Sequence, residues 1–282
     1  MAVKRVGIVG SGIMGSGIAE VAAKAGFEVI LRSRQQNTAD QMMAGLEKSL
    51  GKQVDRGKLD AADRDGVLGR VRATTELGEL SDCDLVIESI VEDLAVKKHL
   101  FNELDRVCND SAILATNTST LPVVEMAMES RPDKVCGIHF FNPAPMMALV
   151  EVVRCITTSD ETVDTARGFA EACGKSPVLV RDQAGFIVNG LLFPYLNNAV
   201  KLLDAGVATR EDIDTAMKGG CNFPMGPLEL LDLVGLDTSL AIIQALYDEF
   251  REPNYAPAPL LRRMVSAERL GRKTGQGFYD YG

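Results

Sequence analysis

Two groups of residues in this chain have the types and spacing to do chemistry together. His139 stands in the run His139-Phe140-Phe141-Asn142-Pro143, and Glu151 follows it twelve residues later. An imidazole titrates near neutrality and can take or return a proton. A carboxylate behind it can orient the ring and stabilise its charged form. The other group is the glycine turn Gly10-Ser11-Gly12-Ile13-Met14-Gly15. In a dinucleotide site Gly10 allows the tight turn, Gly12 lets the backbone approach a pyrophosphate, and Gly15 lets helix and strand pack closely. The helix that opens there offers unpaired N–H groups to the phosphates. A dinucleotide beside an acid/base group reads as an oxidoreductase.

Each feature also has an ordinary structural reading. A glycine pattern this short is common, and it gains meaning only between a strand and a helix. A strand-end histidine can be purely structural, and a lone glutamate can be a surface residue. Selectivity enters at Leu31-Arg32-Ser33-Arg34. NAD sites usually carry an acid there for the ribose hydroxyls. Arg32 and Arg34 beside Ser33 suit a 2′-phosphate instead. NADP(H) is therefore favoured, with NAD(H) the alternative if the arginines merely cover the strand end.

The elements that must position these groups follow from periodicity. Residues 4–9 read as a buried strand, 13–25 as a helix stopped by Gly26, and 28–32 as a second strand, making a βαβ unit. Residues 38–68 read as a helical hairpin broken near Gly57. Strands are expected at 71–74, 84–88, 112–115, 135–140, 149–153 and 177–180, with helices near 93–106, 121–128 and 161–173. This alternation predicts an α/β fold, a Rossmann-type doubly wound mostly parallel sheet with helices on both faces. The β-rich runs end at Asp182-Gln183-Ala184-Gly185. Helices then follow at 186–205, 210–217, 227–232, 236–250 and 258–270, and the glycine-rich tail from Gly271 is not helical. The expected division is a dinucleotide-binding domain at 1–183 and an all-helical C-terminal domain at 184–282.

Composition narrows the function classes. The chain has 282 residues, 46% hydrophobic and 24% charged, as in soluble globular proteins. A net charge of -9 argues against nucleic-acid and membrane partners. No apolar run is long enough to span a bilayer and no signal-peptide pattern is evident, so a cytoplasmic location is expected. Two histidines and six cysteines without metal spacing give no metal site, and the cysteines read as reduced, mostly buried thiols.

Taken in order, several segments resemble the short-chain (S)-3-hydroxyacyl-CoA dehydrogenases, the 3-hydroxybutyryl-CoA dehydrogenase family. They are the glycine turn, Glu88-Ser89-Ile90-Val91-Glu92-Asp93, Asn117-Thr118-Ser119, His139 to Pro143, Leu149-Val150-Glu151-Val152, Gly185-Phe186-Ile187-Val188-Asn189, Pro224-Met225-Gly226-Pro227, Asp232 to Asp237 and Lys273 to Tyr279. The resemblance implies His139 as the acid/base for the C3 hydroxyl while hydride passes between C3 and the nicotinamide, with Glu151 orienting it. Ser119 and Asn189 are implied as contacts to the reacting oxygen. Gly10, Gly12, Ile13, Met14, Gly15, Arg32, Ser33, Arg34, Glu92, Lys97 and Asn117 are implied or read as the cofactor site.

The implied substrate is a short-chain acyl-CoA and the implied assembly a homodimer. Lys48, Lys52, Arg56 and Lys58 lie in the hairpin, where they meet CoA phosphates or simply form a solvated basic face. His99, beside Lys97 and Lys98, reads as a solvated-face residue. Met146 and Met147 line an acyl pocket or belong to the core. The chain departs from the family in three places: no acid ends the second strand, Gly190 replaces a frequent arginine, and the Ser119–His139 segment is one residue short. Two other readings stay open: a dehydrogenase of free β-hydroxy acids, many of which use lysine, and a non-enzymatic dinucleotide-binding protein.

Overall fold

A computed structural model describes residues 3–282 of the protein, which divide into two compact units, the first ending at Asp182 and the second Gln183–Gly282. In the first unit β1 (Arg5–Val9), α1 (Ile13–Lys24) and β2 (Glu28–Arg32) form the βαβ unit. Next come α2 (Gln36–Asp55), α3 (Ala61–Gly69), β3 (Val71–Thr74), β4 (Leu85–Glu88), α4 (Leu94–Val107), β5 (Ile113–Thr116) and α5 (Val123–Ala127). The unit closes with β6 (Val135–Phe140), β7 (Leu149–Arg154), α6 (Asp160–Ala172) and β8 (Ser176–Arg181). The eight strands form one sheet in the order β3-β2-β1-β4-β5-β6-β7-β8. Every pairing is parallel except β6–β7, which is antiparallel because a short loop, rather than a helix, joins the two strands.

Strand alternation decides which side chains meet. Ile87, Ala115, Ile138, Val150 and Val152 join a core shared with α1, α2, α3 and α6. Their neighbours Glu88, Thr116, His139 and Glu151 therefore project to the opposite face. On that face α5 packs on β6, and α4 packs on α5. Four polar side chains thus share one face near the switch from parallel to antiparallel pairing, and all four are buried.

Glu20 ties the first crossover helix to the hairpin. Its carboxylate accepts from Lys24 Nζ (2.7 Å), Gln53 Nε2 (2.9 Å) and Ser49 Oγ (3.0 Å), linking α1 to α2.

The second unit contains α7 (Val188–Asp204), α8 (Arg210–Cys221), α9 (Pro227–Val234), α10 (Leu236–Phe250) and α11 (Pro259–Ser266) around its own apolar core. Asp214 accepts from the N–H groups of Leu228 and Glu229 at the start of α9. Asp232 accepts from Phe278 and Tyr279 N–H and so seats the tail. Gly277 fits against it because a Cβ there would lie 2.0 Å from Asp232 Oδ1.

Three local expectations need correction. The helix expected over 258–270 ends at Ser266, where Glu268 turns to φ 58° and Arg269 N–H bonds back to the Met264 carbonyl. The helix expected from residue 186 begins at Val188, with Asn189 in its first turn. Met146 and Met147 are exposed rather than core. No single helix among the described residues is long and apolar enough to cross a membrane.

Candidate active site

His139 and Glu151 are direct partners in the β6–β7 ladder, so residues twelve apart in sequence meet side by side. His139 Nδ1 lies 2.8 Å from Glu151 Oε2, and both side chains are almost wholly excluded from solvent. As a carboxylate, Glu151 can only accept, which places the Nδ1 hydrogen between them and leaves Nε2 as the working nitrogen. Ser119 Oγ lies 3.0 Å from that Nε2. The Phe141 ring tilts against the imidazole at 4.6 Å between centroids.

The turn after β5 that carries Ser119 is built by side chains bonding to backbone. Asn117 Oδ1 accepts from Phe140 N–H, fixing the end of β5 to the end of β6. Glu92 Oε1 accepts from the Thr118 hydroxyl (2.5 Å) and from Ser119 N–H (3.0 Å). Burial pushes the Glu92 carboxyl up, but the Lys97 ammonium and the donors from Thr118 and Ser119 outweigh it and hold the group below the usual carboxylate range. Asp182, at the end of the first unit, accepts from Val123 and Val124 N–H at the start of α5; burial nevertheless pushes its carboxyl up.

Lys97 stands in the first turn of α4, whose N-terminus Asp93 caps through Val96 N–H. It is only 1% exposed, and its Nζ lies 2.7 Å from Glu88 Oε1 and 3.1 Å from Glu92 Oε2. Glu88 also accepts from Ile90 N–H (2.6 Å) and the Thr116 hydroxyl (2.7 Å). The sequence reading gave Glu88 and Thr116 no role. The available signal was an acid closing the apolar strand Leu85-Val86-Ile87, nine residues before a lysine on the following helix.

The glycine turn fits a dinucleotide. Gly10 adopts φ +129°, and a Cβ there would lie 2.1 Å from the Ser89 carbonyl oxygen. A Cβ on Gly15 would lie 2.0 Å from the Gly10 carbonyl oxygen. Gly12 differs: a Cβ there meets nothing within 4 Å, so the chain itself gives no reason to exclude a side chain. A ligand backbone drawn close to the turn supplies that reason. Gly12 caps α1 without a side-chain bond, and Ile13 in its first turn is 78% exposed. The half-buried Met14 packs against the core.

At the end of β2, Arg32 Nε bonds to the Thr75 carbonyl (3.3 Å) and Arg34 faces solvent. Ser33 is turned inward, its hydroxyl bonded to that of Thr38. Lys48, Lys52, Arg56 and Lys58 are all exposed. The loop after His139 is held from two sides. Lys175 Nζ donates to the carbonyls of Ala144 (2.7 Å) and Met147 (2.8 Å), while Ala144 packs so closely on α1 that a Cβ on Gly17 would come within 3.2 Å of it.

Asn189 is buried in α7, in the second unit. His99 is exposed, with Glu103 one turn away as its neighbour. No cluster able to hold a metal occurs among the described residues.

The first unit matches the 3-hydroxyacyl-CoA dehydrogenase NAD binding domain over residues 5–183, and the remainder matches the 3-hydroxyacyl-CoA dehydrogenase C-terminal domain over residues 185–281. The chain belongs to the 3-hydroxyacyl-CoA dehydrogenase family. It is 49% identical over 278 residues to a 3-hydroxybutyryl-CoA dehydrogenase of Clostridioides difficile, covering 98% of this chain and 99% of that one. It is 42% identical over 287 residues to a mitochondrial hydroxyacyl-coenzyme A dehydrogenase of Homo sapiens, covering 99% and 91%. The crystal structure of an (S)-3-hydroxybutyryl-CoA dehydrogenase from Ralstonia eutropha superposes with a TM-score of 0.97 at 40% identity, each chain covered completely. Membership in this family of oxidoreductases gives the chain a nicotinamide dinucleotide as cofactor.

Proposed function

We propose that the protein interconverts acetoacetyl-CoA and (S)-3-hydroxybutyryl-CoA, or close homologues, by hydride transfer at C3. The observation that carries this reading is the buried His139–Glu151 pair with Ser119 Oγ on the outer imidazole nitrogen, in a chain of this family.

In the oxidative direction His139 Nε2 takes the proton of the C3 hydroxyl, and in reduction it returns it. Glu151 holds the Nδ1 hydrogen, which fixes the ring's tautomer and offsets the imidazolium charge when it forms. Ser119 Oγ, 3.0 Å from Nε2, is placed to hydrogen-bond the same substrate oxygen as charge develops there. Burial of the pair keeps water from competing for the proton. When bound, the nicotinamide supplies or accepts the hydride; the turn at Gly10, Gly12 and Gly15 would hold its pyrophosphate.

NADP(H) is the preferred form in this reading. It is supported by the absence of an acid at the end of β2 and by the exposed guanidinium of Arg34. The basic face of Lys48, Lys52, Arg56 and Lys58 would meet the phosphates of CoA. The helical unit exposes Leu191 (73%) and Val207 (66%), which supports a homodimer formed through that unit. Light scattering would read the dimer directly.

Initial rates with acetoacetyl-CoA and with free acetoacetate, each with NADPH and NADH, test the activity. Turnover of the CoA ester, several-fold faster with NADPH, is expected. Turnover of the free acid alone would move the protein to the free-acid dehydrogenases. Cofactor binding without turnover of either substrate would leave only a dinucleotide-binding protein.

A further inference from the structure

The proton transfer proposed above needs Ser119 Oγ at His139 Nε2, and Ser119 stands in a short loop that runs to Pro122 before α5. The near end of that loop is turned by Thr118, whose buried hydroxyl accepts from Leu121 N–H (3.0 Å). At the far end Pro122 occupies the capping position of α5, and its side chain has no acceptor for the N–H groups that open the helix. Asp182, the last residue of the first unit, supplies the acceptors from 59 residues away. Its Oδ1 accepts from Val123 N–H (2.9 Å) and its Oδ2 from Val124 N–H (2.8 Å). A helix of five residues cannot hold its own place, so its start lies where this carboxylate and its packing put it. Val123 is fully buried and packs over Gly137, where a Cβ would lie 3.4 Å from its methyl. Gly137 and His139, two residues apart on β6, share one face of the sheet.

We infer that Asp182 is a positioning residue for the reaction: by holding the N–H groups of Val123 and Val124 it sets the loop from Ser119 to Pro122, so that Ser119 Oγ stays at His139 Nε2. The inference rests on the roles given to His139 and Ser119 above. Asp182 acts on kcat through Ser119 and leaves dinucleotide affinity alone.

A double-mutant cycle separates this role from plain stabilisation of the fold. Asp182→Ala, Ser119→Ala and the double variant are assayed with acetoacetyl-CoA, and the Kd of NADH is measured by fluorescence titration without substrate. Asp182→Ala is expected to lower kcat about 10-fold or more with Ser119 present and less than about 2-fold in the Ser119→Ala background, because partners acting as a unit are non-additive. Asp182→Asn keeps one acceptor oxygen, and its kcat is expected to fall between those of wild type and Asp182→Ala. The NADH Kd stays within about 2-fold of wild type throughout.

Equal losses in both backgrounds, an unchanged kcat in folded Asp182→Ala, or a rise in Kd matching the loss of rate would overturn the inference. Should Asp182→Ala fail to fold, Asp182→Asn carries the same cycle and the same outcomes decide. Wild-type turnover is the control: its absence would sink the functional reading itself, whereas turnover with independent effects sinks only the role of Asp182.

Discussion

His139 and Glu151 face each other across the single antiparallel pairing among the described strands, with Nδ1 and Oε2 2.8 Å apart. Because the pair is set by strand register rather than by a flexible loop, the ring's orientation is fixed before substrate arrives. Glu151→Gln keeps the shape but removes the charge that stabilises the imidazolium. Its kcat is expected to fall about 100-fold or more, while the NADH Kd changes less than about 2-fold. Steady-state kinetics and fluorescence titration check this, and a loss confined to cofactor affinity would contradict it.

The glycines of the first turn separate folding from binding. Gly12→Ala is expected to melt within about 0.5 kcal/mol of wild type, because its Cβ meets nothing within 4 Å. The same variant is expected to weaken dinucleotide binding about 10-fold or more by keeping the pyrophosphate off the backbone. Gly15→Ala, with a Cβ 2.0 Å from the Gly10 carbonyl oxygen, is expected to lose stability instead. Thermal melts beside NADH titrations distinguish the two, and unimpaired binding in Gly12→Ala would count against a cofactor at this turn.

In the proposed function Arg34 is the residue that would favour NADPH over NADH. Removing an exposed guanidinium that bonds a 2′-phosphate costs about 10-fold in KM for NADPH and leaves KM for NADH nearly unchanged. Kinetics of Arg34→Ala with both cofactors read this out. Equal effects on the two would return Arg34 to the solvent-facing surface.

How far the site was legible depended on distance in sequence. The strand boundaries, the glycine turn, and the residues His139, Glu151 and Ser119 could be read from local pattern and resemblance. Their contact needed only the antiparallel neighbour relationship that a short β6–β7 loop dictates. Glu88 and Thr116 escaped because a polar residue ending a strand has no local mark of burial. Its meaning comes from Lys97 on the next helix and from the alternation that turns both side chains to one face. The start of α7 was read two residues early because Phe186 takes a positive φ, 45°, which delays the helix to Val188. The end of α11 was missed for a similar reason, since glutamate gives no sequence warning of the positive φ at Glu268.

Glu20 gives the fold a pH dependence with a definite sign. Burial pushes its carboxyl up, but Lys24, Gln53 and Ser49 outweigh that and hold it below the usual carboxylate range. A lowered folded-state value stabilises the protein above the ordinary glutamate range, near pH 4.3, and that stability is lost as pH falls through the folded value. Wild type is expected to exceed Glu20→Gln by about 1–2 kcal/mol at pH 7, with the gap closing below about pH 4. Melts of both proteins across that range check the sign; a gap unchanged down to pH 3 would contradict it.

The most direct test of the central claim is the rate of acetoacetyl-CoA-dependent NADPH oxidation by His139→Ala beside wild type, with dinucleotide affinity measured on both. Rapid wild-type turnover, a loss of about 100-fold or more in the variant, and an unchanged Kd for the cofactor are expected. A variant that turns over acetoacetyl-CoA at nearly the wild-type rate would show that the proton passes through some other group, and that His139 and Glu151 only hold the two strands together.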